Sequence, residues 1–408
     1  MSKSLVRAVV AAVVLGFGSH AVITVAAEEK PKYSKAASKP LKAASDALTA
    51  KKYSEVIAKS LEVLALPEKN ATDAFLANQM LAFAYLQQGN TTEAAKAWEA
   101  QLDSGMVAPA DQKSILKNLT TIAYQKKDYA KAIELGQRLI RNGGAESETY
   151  TLVAQSYYLQ ERYREAAKFI NEFVGDQERR GQTPREQTLQ LLNTSYERIS
   201  DTHGTSNTLE KLVMYYPKPS YWNGLLYNLM RADGVSDRHI LNIFRLMQAT
   251  DTLSRGSDYT EFAQLAIEAG VPGEAKTVLE LGMSRNAFDA NMKDRNQRLL
   301  DAAKKSAITD QASLVKFDTE AKAARTGDPD VALGRGYLSY GMNDKAVEAL
   351  TRGIGKGGLK TPDEAQLLLG VALLRSGNKA EALKIFKSVK TADTVNQRLA
   401  KLWSLHAS

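Results

Sequence analysis

The 408-residue chain contains no cysteine. That absence excludes a disulfide framework, a thiolate metal site, a cysteine nucleophile and acylation of an N-terminal cysteine. Histidine is nearly as scarce. His20, His203, His239 and His406 are the only four, and no two share the spacing of a helical metal site. Beyond the first 27 residues no apolar run approaches the roughly 20 residues of a bilayer span, so no membrane insertion of the mature chain is expected. A strong excess of one charge is also missing. The net charge is +8, and acids interleave with bases, as in Glu178-Arg179-Arg180 and in Lys384 after Glu381. A nucleic-acid binder gathers its bases into a patch or stripe, so no nucleic-acid partner is expected.

The N-terminus carries a different signal. Lys3 and Arg7 precede an apolar stretch from Ala8 to Phe17, and Val25-Ala26-Ala27 stands just ahead of Glu28. A basic start, a short apolar core and a small-residue end make a secretory signal peptide over 1–27, cleaved after Ala27. Retention as an anchor is the alternative. In both cases Lys3 and Arg7 stay inside and the body is outside the inner membrane, a periplasmic location. Residues 28–40, rich in Lys, Ser, Ala and Pro, read as a flexible leader. The remainder is too long for one ordinary compact core and implies several domains or a repeat array.

Self-similarity decides between these. The last unit reads Gln366-x2-Leu369-Gly370-x2-Leu373, then Gly377-Asn378, then Ala382-x3-Phe386. The unit before it reads Asp330-x2-Leu333-Gly334-x2-Tyr337, then Gly341, then Ala346-x3-Leu350. Near the front, Leu81-Ala82-x2-Tyr85 leads through Gly89-Asn90 to Ala94-x3-Trp98. Two further units centre on Ala132-x3-Gly136 and Ala166-x3-Ile170. Small residues at the eighth and twentieth positions let two helices of a hairpin approach closely, and Leu, Tyr and Phe fill the space between hairpins. Residues 186–250 and 288–325 follow the repeat poorly, yet Leu189, Leu192, Tyr196 and Ile199 keep a helical period, and the charged, alanine-rich 288–325 stretch suits longer helices. Pro217-Lys218-Pro219 is the expected break between sub-arrays.

The chain resembles the tetratricopeptide-repeat (TPR) superfamily. The resemblance implies an all-α fold: a right-handed α-solenoid superhelix of about ten antiparallel helix hairpins. On this reading residues 41–217 are an N-terminal array and 218–329 are degenerate hairpins. Residues 330–408 are a C-terminal pair of repeats with a solvating cap helix around Val395, Leu399, Leu402 and Trp403. Leu212-Val213-x2-Tyr216-Pro217-Lys218-x2-Tyr221-Trp222 further resembles a stretch in one group of periplasmic TPR proteins. So do Gly270-Val271-Pro272 and Gly358-Leu359-Lys360. Genes of that group often sit beside TonB, ExbB and ExbD components.

Signatures of catalysis fail in context. Gly353-x-Gly355-x2-Gly358 matches G-x-G-x-x-G but follows a repeat helix instead of a strand, so it reads as a glycine-rich helix exit. Ser114-x2-Lys117 and Ser313-x2-Lys316 lack a K-T-G companion. His203 reads as a polar turn residue. The chain is therefore not expected to be an enzyme, and no catalytic residue, metal ligand or cofactor is assigned.

The resemblance implies a concave groove lined by the fifth, ninth, twelfth and thirteenth positions of each unit. Here those are Lys117, Thr121, Tyr124 and Gln125, then Thr151, Gln155 and Tyr158, and farther on Thr260, Gln264 and Glu268. Polar groups between aromatics suit hydrogen bonding to a peptide backbone. Thr121 replaces the Asn of the carboxylate clamp that some relatives use, so recognition of a chain-end carboxylate there is not expected. The function expected is a periplasmic scaffold that binds an envelope protein or peptide, with a TonB-system component as candidate partner. The alternative is a peptidoglycan- or polysaccharide-binding assembly factor.

Overall fold

A computed structural model describes residues 32–143, 146–389 and 394–408. The expected signal peptide over 1–27 lies outside them. The described residues hold twenty α-helices and no strand. They form two compact units, one ending at Gln182 and the other spanning Thr183–Ser408.

The first unit is four antiparallel hairpins in chain order: α1 (Lys35–Thr49) with α2 (Tyr53–Ala65), α3 (Ala71–Gln87) with α4 (Thr91–Asp103), α5 (Pro109–Gln125) with α6 (Tyr129–Arg141), and α7 (Ser147–Leu159) with α8 (Tyr163–Arg179). The expected flexible leader is corrected here, because α1 begins at Lys35 and carries Pro40 inside it. The Ser34 hydroxyl accepts from the Ala37 N–H at 3.1 Å, and the Ser34 N–H donates to Asp73 Oδ1 at 2.9 Å. Ala37, Leu41, Ala44 and Leu48 are buried at helical spacing. Burial of that face outweighs the one backbone bond that Pro40 removes.

The second unit contains α9 (Glu186–Arg198) with α10 (Thr202–Tyr215), α11 (Pro219–Met230) with α12 (Asp237–Ala249), and α13 (Gly256–Glu268) with α14 (Pro272–Ser284). A single 34-residue helix follows, α15 (Ala290–Ala323). Then come α16 (Asp328–Ser339) with α17 (Asn343–Lys356), α18 (Pro362–Arg375) with α19 (Lys379–Ser388), and the final α20 (Thr394–Ala407). Helix α15 takes the place of a degenerate hairpin and agrees with the longer helices that the 288–325 composition suits. It has no Gly or Pro to break it, and Leu300, Ala303, Ala307 and Leu314 hold one buried stripe against α14 and α16.

Pro217 lies within the second unit, so the compact units part elsewhere than expected. The segment it occupies is tied down: the Tyr216 hydroxyl donates to Pro184 O at 2.9 Å, and the Lys218 ammonium and Tyr221 hydroxyl both engage Glu186. His203, expected in a turn, sits in the first turn of α10, which Asp201 caps through the Gly204 N–H at 2.8 Å.

The small residues act as their spacing suggests. Ala94, Ala132, Ala166, Ala275, Ala346 and Ala382 are all 0% exposed. Between the helices of a hairpin the chain turns through the left-handed region, at Gly89 (φ 74°) and Gly377 (φ 86°), but also at Lys127 (φ 62°) and Glu161 (φ 58°). The eighth-position glycine of the last hairpin is tighter still. A Cβ on Gly370 would lie 2.3 Å from the Phe386 ring. Gly370→Ala is therefore expected to destabilise the protein: overpacking costs about 1–3 kcal/mol, of which better helix propensity returns at most about 1 kcal/mol. Urea unfolding of the variant checks this, and a midpoint at or above wild type would refute it.

The C-terminal helix departs from the solvating cap expected. Leu399 and Leu402 are fully buried and Trp403 is 1% exposed. Besides the preceding hairpin, α20 touches α10 and α12. Glu210 on α10 takes both Arg398 at 2.9 Å and Lys401 at 2.6 Å, and the His406 ring meets Trp222 and Trp403 edge-on. Apolar side chains at 395, 399, 402 and 403 with bases at 398 and 401 give α20 enough surface to hold two neighbours at once.

Candidate functional site

In the first unit the expected groove residues fall on the first helices of consecutive hairpins, α5 and α7, which touch. On α5, Leu116, Leu119, Thr120 and Ala123 point into the core. That leaves Lys117 and Gln125 exposed and Thr121 and Tyr124 half-buried on another face. On α7, Val153, Ala154 and Tyr157 are buried, and Thr151, Gln155 and Tyr158 are half-buried. Cross-links between the two helices align these faces. The Tyr124 hydroxyl donates to Gln155 Oε1 at 3.0 Å, and the Lys117 ammonium reaches Glu146 Oε2 at 2.8 Å. Thr121 and Thr151 turn their hydroxyls to the carbonyls of Lys117 and Ser147, both at 3.0 Å. Tyr124 packs edge-on against Tyr129, and Tyr158 against Tyr163. Burial raises the Tyr124 phenol above its ordinary pKa, so it remains a hydrogen-bond donor at neutral pH.

The strip continues on α3 through Gln79, Phe83 and Leu86. These stand at the same offsets from buried Ala94 as Lys117, Thr121 and Tyr124 from Ala132, and all three are half-buried. Sequence reasoning missed them, although the offset alone would have found them.

The second unit treats its expected site residues differently. Thr260 is corrected from groove to core. It is 6% exposed, and its hydroxyl lies 3.0 Å from Gly256 O and 2.9 Å from Asn296 Oδ1, which ties α13 to α15. Replacement of the next hairpin by a single long helix covers the face on which Thr260 sits. Gln264 is half-buried, and Glu268 borders a cavity of about 640 Å³ with Arg238, Arg335 and Glu364.

That inner region holds a set of charges that sequence reasoning did not anticipate. Arg245 forks onto Glu274 with contacts of 2.9 and 2.7 Å and donates to Asn242 Oδ1 at 2.7 Å. Arg238 meets Glu364 at 3.3 Å. Arg335 makes no hydrogen bond or ion pair among the described residues. Burial, together with Arg245 and Arg238, lowers its pKa against the pull of Glu364. The one local sign was a base inside an apolar run, Ile243-Phe244-Arg245-Leu246-Met247. No cluster of three or more His, Asp or Glu side chains among the described residues could hold a metal ion. No helix among them is long and apolar enough to cross a membrane.

Comparison with known proteins agrees with the hairpin geometry. The tetratricopeptide-repeat family matches residues 80–147 and 331–396. No curated protein matches the chain. Among solved structures, a tetratricopeptide repeat protein from Parabacteroides merdae is similar at 15% identity, covering 72% of this chain and 98% of its own, with a TM-score of 0.26. The C-terminal part of a TPR repeat-containing protein from Cytophaga hutchinsonii is similar at 14% identity, covering 64% and 92%, with a TM-score of 0.32. Those overlaps are low, and the assignment stands on the repeat matches in both units and on the buried alanines between paired helices. Residues 80–147 and 331–396 carry tetratricopeptide repeats, with alanines buried between their paired helices.

Proposed function

We propose that this chain is a non-catalytic periplasmic scaffold that holds a protein or peptide of the cell envelope along the α3–α5–α7 strip. The observation that carries the reading is the aligned face itself. Half-exposed Phe83, Tyr124 and Tyr158 alternate with Gln79, Thr121 and Gln155 across three successive hairpins. Aromatic faces supply area at little cost in rotamer entropy, and the intervening amides and hydroxyls suit an extended peptide backbone. The signal-peptide pattern over 1–27 supports export. The stretch Leu212–Trp222 supports a TonB-type energy-transduction component as the partner.

The test places a photo-crosslinking residue at Gln125, beside the strip, in living cells and identifies what is captured. Recovery of one envelope protein, reduced at least tenfold by Tyr124→Ala with Tyr158→Ala while the melting temperature changes little, is the expected result. Equal capture by the double variant, or capture of cytoplasmic proteins alone, would overturn the reading.

A further inference from the structure

A second cavity in the C-terminal unit, of about 860 Å³, opens between α14, α15 and α16 and is bounded by the ends of α12 and α18. Its volume is within the range of small-ligand sites, roughly 300–1,000 Å³. Its charges do not cancel. Glu274 is neutralised from behind by the buried Arg245 fork. Glu280 is matched by Lys304 at 3.4 Å on the rim. Two lining cations are left over. Arg375, at the end of α18, and half-buried Lys276, on α14, make no side-chain hydrogen bond or ion pair among the described residues.

Arg375 is exposed at the mouth of the cavity, where neighbouring protein atoms crowd its guanidinium. Burial and neighbouring Arg245 lower its pKa against the attraction of Glu274. Near the Arg245–Glu274 pair but bonded to no carboxylate, the Arg375 guanidinium keeps N–H donors that an oxyanion can accept from. The wall also carries apolar side chains. Ile308 is 73% exposed, one of the most exposed large aliphatic side chains among the described residues, and it lines the same cavity as buried Leu338. A solvated aliphatic in the same cavity as unpaired cations matches a ligand with an anionic head and an apolar body.

We propose that this cavity binds a carboxylate carried on an apolar group, with the carboxylate on Arg375 and Lys276 and the apolar part on Ile308. The source is either the C-terminal residue of a peptide or a free alkyl carboxylic acid. The site uses no residue of the α3–α5–α7 strip and is independent of the partner proposed there.

Calorimetric titration of the full chain tests it with four probes: decanoate, decanol, a short peptide ending in leucine, and the same peptide amidated. Decanoate, the free-acid peptide or both are expected to bind, and the uncharged counterpart of each binder at least about tenfold more weakly. Arg375→Gln is expected to weaken binding of the acid by a similar factor. Ile308→Glu is expected to abolish it, because a carboxylate then faces the apolar body. Both positions are exposed, and circular dichroism confirms that the variants fold. Binding of decanoate alone assigns a free acid, and binding of the peptide acid alone assigns a chain end. Binding unchanged in Arg375→Gln, or no binding of either acid, overturns the proposal.

Discussion

Replacing Trp403 by alanine is expected to destabilise the second unit by about 3–5 kcal/mol, the cost of deleting a large aromatic from a packed core. The indole is 1% exposed and stacks on Phe386 with ring centres 6.3 Å apart. Leu399 and Leu402, also fully buried, flank it on α20. No loop can slide in to fill the space, because α20 is fixed between the α18–α19 hairpin and helices α10 and α12. For a unit of this size each kcal/mol lowers the melting temperature by about 2–4 °C, so the calorimetric transition should fall by roughly 10 °C. A loss below about 1 kcal/mol would show that α20 merely covers the surface. The ion pairs on the same helix give an internal comparison. Lys401 is 64% exposed, so Lys401→Ala should cost under about 1 kcal/mol.

What could be read in the chain beforehand divides along a physical line. Features set within one hairpin were legible. Ala382 and Gly370 mark a helix pair that packs too closely for larger side chains, and that constraint repeats at each unit with small residues in fixed register. Tyr124 and Gln155 were legible for the same reason, since position within the unit fixes which way each points. Thr260 was misjudged because its neighbour departs from the repeat. Where α15 runs 34 residues without a turn, the face that a hairpin would leave open is covered. The leader was misjudged because composition outvoted periodicity: Lys, Ser and Pro over 28–40 concealed the buried stripe that begins at Ala37. The second face of α20 was illegible in principle, because Glu210 and Arg398 are 188 residues apart and nothing local in either segment announces the other.

The same distance problem hides a second interaction whose loss should be felt as strongly. Glu274→Ala is expected to cost about 3–5 kcal/mol, although it removes only a short polar side chain. The side chains of Arg245 and Glu274 are 6% and 10% exposed. Arginine does not shed its proton in a protein, so the variant must keep a buried guanidinium with Asn242 Oδ1 as its remaining partner. Arg375 nearby adds to the repulsion. The pair itself is a different matter. Desolvating both ions consumes most of their attraction, so replacing both by apolar residues of similar volume should be far milder than breaking one. Arg245→Met with Glu274→Leu is therefore expected to recover most of the stability that Glu274→Ala loses, measured as urea midpoints at constant slope. If the double variant is as unstable as the single one, packing around the carboxylate, and not the stranded charge, holds α12 against α14. If the single variant is near wild type, water must reach Arg245, and the interior charges are solvated rather than buried.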